Sequence, residues 1–101
     1  MYLYNTSFHL ATAIEDDFIN WVKQTYIPAC IDFGFEKPLL LRVMTSVQPD
    51  CSAFAFQAVS ENQSLIDAWE NGPRMELIAS MYKLWGENCM AFSTNMEVIE
   101  V

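Results

Sequence analysis

Residues 39–59 read LLLRVMTSVQPDCSAFAFQAV. Two runs rich in aliphatic, β-branched and aromatic residues, Leu39 to Gln48 and Cys51 to Val59, flank the pair Pro49-Asp50. Proline presets φ for the first central position of a tight turn, and aspartate tolerates the second. The two runs therefore predict an antiparallel hairpin. Upstream, residues 2–9 alternate Tyr2, Tyr4, Thr6, Phe8 against Leu3, Asn5, Ser7, His9, the period-two pattern of a strand. Downstream, Cys89 to Met96 or beyond reads as a fourth strand.

Helical patterns fill the gaps between these strands. Thr12 and Glu15 have capping-box spacing, and Glu15-Asp16-Asp17 suit the positive end of a helix dipole. Ile14, Phe18, Trp21, Val22 and Thr25 make one apolar stripe, and Pro28 predicts the helix end near Tyr26. Residues 29–38 then read as an irregular connection around Gly34. Ser60 and Gln63 repeat the capping box before Leu65, Ile66 and Trp69, and Asn71-Gly72-Pro73 interrupts. Ile78, Met81, Tyr82 and Trp85 resume the helical face, with Gly86 placed as its C-terminal cap. The order βαββαβ is the ferredoxin-like α+β arrangement, one four-stranded antiparallel sheet with two helices on one face. At 101 residues the chain is read as one domain, residues 1–101.

Composition asks for a cover over the other face. Hydrophobic residues make up 52% of the chain, and the glycines raise the apolar share to about 55%, against roughly 45–50% in an ordinary domain. Extending the parity of the first strand places Tyr2, Tyr4, Phe8, Leu41, Val43, Phe54, Phe56, Met90 and Phe92 under the helices. Leu3, Asn5, Ser7, His9, Leu40, Arg42, Met44, Ala53, Ala55, Gln57, Ala91 and Ser93 fall on the second face. A wet face normally alternates charged and polar side chains, and this set carries almost no charge. Four strands of five residues project roughly 330 Å², so two such faces closed together bury on the order of 700 Å² or more. Hence the expectation of a homodimer whose sheets face each other as an α+β barrel.

A net charge of −8, from 13 acidic against five basic residues, argues against nucleic acid and anionic membranes. The N-terminus has no basic segment before an apolar run, and no apolar stretch reaches membrane-spanning length. Cys30, Cys51 and Cys89 are odd in number and lack C-x-x-C spacing. They read as reduced thiols of a cytoplasmic protein, inert by default because no base or basic cluster is adjacent in sequence.

A resemblance extends this reading. Met1-Tyr2-Leu3-Tyr4-Asn5-Thr6, Phe18-Ile19-Asn20-Trp21, Tyr26-Ile27-Pro28 and Phe92-Ser93-Thr94-Asn95-Met96-Glu97-Val98-Ile99 resemble a family of small bacterial proteins known as a domain of unknown function. The resemblance spans essentially the whole chain. It implies a dimeric α+β barrel and no assigned activity. Haem-degrading members of that fold group resemble the chain at Asn5, but they use a haem-ligating His on the second helix, and residues 61–86 contain none.

Arg42 is the one cation within a strand pattern, and the expected parity puts it beside Asn5 and Gln57. A guanidinium with two amides suits a carboxylate or enolate, with Ser7, His9 and Ser93 as further polar groups on that face. The alternatives for Arg42 are an ion pair with an Asp or Glu of the partner subunit or a side chain reaching to the rim. His9 has no second ligand at metal spacing, so no metal and no cofactor are expected. Nor does any spacing support a Ser-His-Asp assembly. Phe54-Ala55-Phe56 lacks the basic and glycine residues of RNA-recognition sheets. Three functions remain open: a dimeric barrel binding a small, partly apolar acid; a cofactor-free isomerase or monooxygenase using the same cavity; and a structural or regulatory module whose barrel is filled.

Overall fold

The computed structural model describes residues 1–45 and 48–100. Four strands, β1 (Tyr2–Ala11), β2 (Glu36–Arg42), β3 (Cys51–Ser60) and β4 (Cys89–Glu97), form one antiparallel sheet in the order β2-β3-β1-β4. Helices α1 (Glu15–Trp21) and α2 (Ile27–Phe33) join β1 to β2, and α3 (Gln63–Glu70) and α4 (Pro73–Trp85) join β3 to β4. Helical residues pack on one sheet face only, so the fold is α+β and ferredoxin-like.

Between sheet and helices lies an aromatic core. Tyr4, Phe8, Phe18, Tyr26, Phe54, Phe56, Trp69 and Met81 are buried there. Phe18 packs 5.3 Å from Phe54, and Tyr26 meets Phe56 edge-on at 5.0 Å. Trp85 closes one end against Trp21 and Phe18. Phe54 and Phe56 thus face the helices, as their alternation suggested.

Local structure departs from the sequence reading in four places. Pro28 does not end the first helix. It has no N–H to donate, and its ring would crowd the carbonyl four residues back. The chain answers with one wider turn of π-helix over Val22–Tyr26, and helix resumes as α2 with the proline in its first turn. The helix stops at Gly34, whose φ of 120° and approach to Leu65, 2.8 Å from where a Cβ would sit, admit glycine. Neither capping box forms: the Thr12 hydroxyl bonds Ser52, and Asn62, not Ser60, caps α3 by accepting from the Ser64 amide. Strand two begins earlier and ends sooner than expected, at Glu36–Arg42, with residues 46 and 47 outside the described residues. The Pro49-Asp50 turn is present, closed by the Cys51 amide donating to the Gln48 carbonyl with Asp50 at φ 62°.

Candidate functional site

β1 lies in the interior of the sheet and turns Leu3, Asn5, Ser7 and His9 away from the helices. Its neighbours in register on that open face are Gln57, Ala55 and Ala53 of β3, and Thr94, Phe92 and Met90 of β4. Leu39 and Leu41 of β2 stand opposite Gln57 and Ala55, and Val43 follows, its amide donating to the Ala53 carbonyl. Small residues therefore floor the middle, and large ones rise along both edges. Leu39, Leu41, Val43, Met90, Phe92 and Met96 are all exposed here, Phe92 by 56%. From Leu39 onward on β2, and along the other three strands, the face carries no Asp, Glu, Lys or Arg.

At the end where β1 leaves the sheet, the trough deepens into a half-open cavity of about 600 Å³. His9, Val43, Ala53, Met90 and Phe92 form its sheet wall, Cys51 is the first residue of β3 and Gln48 comes from the turn before it, and Glu87 and Asn88 come from the turn before β4. The His9 ring meets Phe92 edge-on at 6.1 Å. Farther along β1, the Asn5 side-chain amide donates to the Ser7 hydroxyl at 3.1 Å, and Asn5 faces Gln57 directly.

Four of the six expected site residues, Asn5, Ser7, His9 and Gln57, share this face. Arg42 and Ser93 do not. Arg42 stands opposite Phe54, so it points to the helix side, its guanidinium carbon 5.0 Å from the Phe54 ring centroid and its Nη1 ion-paired with Glu15. A two-residue turn at Pro49-Asp50 would set Val43 against Phe56. The observed register sets Leu40 there instead, and an odd shift moves every side chain of a strand to the other face. Leu41 and Val43 accordingly lie on the open face, and Leu40 on the helix side.

β4 inverts in the same way. Cys89, Ala91 and Ser93 pair with Leu10, Phe8 and Thr6 under the helices, while Met90 and Phe92 face outward. The small side chains make room for α4, whose Met81 Sδ lies 3.4 Å from Cys89 Sγ. Ser93 ends a chain of hydroxyls that runs from the core towards the surface: Tyr26 to Thr6 at 3.4 Å, buried, then Thr6 to Ser93 at 3.1 Å, half-buried, with Arg74 Nε donating to Ser93 at 2.8 Å. Desolvation raises the Tyr26 phenol above its ordinary range, and it holds the Tyr4 phenol up to about 12.

Val43, Cys51, Glu87, Asn88, Met90 and Phe92 were missed as site residues. The legible signal was that β4 alternates large and small, which cannot by itself say which set meets the helices. Cys30 and Cys89 are buried, with thiols pushed up to about 12 and about 11 by desolvation, whereas Cys51 is exposed. No cluster of three or more His, Cys, Asp or Glu suited to a metal forms among the described residues. No helix among them is long and apolar enough to cross a membrane.

Known structures share this architecture. HapK from Hahella chejuensis superposes with a TM-score of 0.71 at 12% identity, over 100% of this chain and 95% of its own. The heme-degrader MhuD from Mycobacterium tuberculosis, solved with two hemes bound in its active site, gives 0.68 at 17% identity over 100% and 98%. A dimeric ferredoxin-like protein from an uncultured marine organism gives 0.64 at 10% identity over 99% and 98%. Identities this low establish likeness of fold. No curated protein matches the chain. Residues 1–99 match one family from end to end, and the chain belongs to it: the domain of unknown function DUF4286.

Proposed function

We propose that the protein is a homodimer whose two open sheet faces close into an α+β barrel, and that the barrel binds a small, largely apolar molecule at its His9 end. The observation that carries this reading is the uncharged open face with six exposed large apolar side chains. Burying a whole side chain of this kind is worth roughly 1.5–3 kcal/mol, so covering the exposed half of each yields about 1 kcal/mol, or about 12 kcal/mol over both copies. Association costs about 4–15 kcal/mol. The face therefore supplies a gain of the size a dimer needs, and a second copy matches it because it presents the same apolar, uncharged relief. The dimeric ferredoxin-like protein of the same fold is consistent with this.

The ligand reading rests on the cavity. Among the described residues its wall carries His9, Thr45, Gln48, Glu87 and Asn88 as polar groups beside the apolar ones, and no Lys or Arg. A carboxylate ligand would have depended on Arg42, which is engaged by Glu15 on the opposite side of the sheet. An uncharged, partly apolar molecule suits the wall better than an acid. No His stands on α3 or α4, so the haem-ligating His that haem-degrading members of the fold group carry on the second helix has no counterpart here.

Sedimentation equilibrium at micromolar concentration tests the dimer. A mass about twice 11.6 kDa is expected, and a monomer there refutes the barrel. A thermal-shift screen of neutral aromatic and aliphatic fragments against matched carboxylates tests the ligand class: stabilisation confined to the acids refutes it.

A further inference from the structure

The two edges of the sheet are built differently. On β2, Pro38 has no amide to offer, Lys37 sits at φ 52°, and the pairing with β3 shifts register between Glu36 and Leu39. Such features keep a native edge from pairing further. β4 has none of them. Its residues, CMAFSTNME, include no proline, glycine or cation, and they hold unbroken register with β1 from Glu97 opposite Tyr2 to Cys89 opposite Leu10. The Val98 amide donates to the Met1 carbonyl, which fixes the phase of that ladder. Hydrogen-bonded pairs alternate along antiparallel strands, so Met90, Phe92, Thr94 and Met96 turn their backbone groups to β1, and Ala91, Ser93 and Asn95 aim theirs at the open edge. Helix α4 gives a second, independent observation. It lies over β4, with Arg74 on Ser93 and Met81 on Cys89, and sets Ile78 and Trp85 against the core. Yet Met75, Ala79 and Tyr82, at i, i+4 and i+7, make another apolar stripe that is exposed. With 3.6 residues per turn, this stripe lies about 100° round the helix from the core-facing side. A right-handed crossover from β3 to β4 turns it over the free edge of β4, away from the other helices.

We propose that β4 pairs antiparallel with β4 of a second copy, so that one seam of the barrel is a continuous ladder and the two sheets become one of eight strands. This rests on the dimer reading above and deepens it, naming the edge along which the copies join. A twofold axis suits the seam, because the same strand meets itself in an antiparallel pair. Centred on Ser93, the midpoint of Cys89–Glu97, the pairing engages every outward backbone group of the strand. It sets Met90 against Met96 and Phe92 against Thr94 on the open face, cross-strand neighbours that pack together. The two Glu97 side chains fall at opposite ends of the seam, roughly 27 Å apart. Above the ladder the two α4 helices come side by side, and Met75, Ala79 and Tyr82 meet their counterparts. Eight strands close around side chains or one small ligand, and the blunted β2 edges meet on the far side without a ladder.

Amide hydrogen exchange followed by NMR, at a concentration where the protein sediments as a dimer, tests the seam. The Ala91, Ser93 and Asn95 amides should exchange at least about a hundredfold more slowly than in an unstructured chain, as amides within a ladder do. An open edge leaves them within about tenfold of it. Asn95→Pro removes an outward amide that β1 does not use, so the circular dichroism spectrum should stay intact while association weakens at least about thirtyfold in sedimentation velocity. Should that variant fail to fold, Met75→Asp on the exposed stripe of α4 makes the same test, since the seam would then bring two carboxylates together; association should weaken at least about tenfold. Unprotected amides at Ala91, Ser93 and Asn95 in a dimer, or wild-type association in the folded variants, overturn the seam and leave the face-to-face dimer standing. Leu41→Asp, on the open face of β2 and far from the seam, separates the two readings. Association lost in Asn95→Pro but untouched in Leu41→Asp keeps the seam and refutes the closed barrel, and a wild-type protein that sediments as a monomer refutes both.

Discussion

Phe92 is the residue whose truncation tests the open face most directly. It is 56% exposed, which for an aromatic side chain of roughly 200 Å² leaves about 110 Å² for a partner to cover. It stands opposite Ser7 on β4, with its bulk directed away from the helices, so the core has no stake in it. Phe92→Ala removes about 80 Å² of coverable apolar surface, or about 2 kcal/mol in each copy and about 4 kcal/mol in a twofold dimer. That corresponds to roughly a thousandfold weaker association. Phe92→Asp should do more, because closure would then bury two unpaired carboxylates. Sedimentation velocity over a hundredfold range of concentration reads the change, and circular dichroism should show the secondary structure intact. A Phe92→Asp protein that remains a dimer at the wild-type concentration dependence refutes the face-to-face arrangement.

Other expectations concern the folded chain itself. Phe54→Ala deletes a ring packed on Phe18 beneath Arg42 and should cost roughly 3–5 kcal/mol in urea unfolding; a cost under about 1 kcal/mol would mean that Phe54 is not core. Arg42→Met removes an ion pair whose arginine side chain is 46% exposed, so its cost should stay within about 1 kcal/mol, and neither dimer nor ligand binding should change. Alkaline pH should destabilise the protein. Burial lifts the Cys30 thiol from 9.0 to about 12 and the Cys89 thiol to about 11, so between these values the unfolded chain releases protons that the folded one retains. Their contribution is complete below pH 9 and declines as pH rises towards 11 and 12, with about 5 kcal/mol lost by pH 11. Urea midpoints that stay constant from pH 8 to pH 11 would contradict this.

The amino-acid sequence by itself determined the order of elements, the helical breaks at Asn71-Gly72-Pro73 and Gly86, the turn at Pro49-Asp50, and the helix-facing set on β1 and β3. Each depends on local chemistry: a period of two, a missing amide, a residue that tolerates positive φ. Asn5, Ser7, His9 and Gln57 followed from that parity and do share one face. What only the tertiary structure decided was the parity of β2 and β4. Strand β2 is separated from its partner by a long connection, and a register differing by an odd number of residues from the tight-hairpin one turns Arg42 inward onto Phe54 and Leu41 outward. On β4 both alternating sets are apolar enough to be buried, and the choice fell to α4, which needs small residues beneath it and so sends Met90 and Phe92 to the other side. The cavity arose from the same choice. His9 and Cys51 stand 42 positions apart in the chain, and only strand pairing brings a histidine and a thiol without sequence neighbours of their own kind onto one wall.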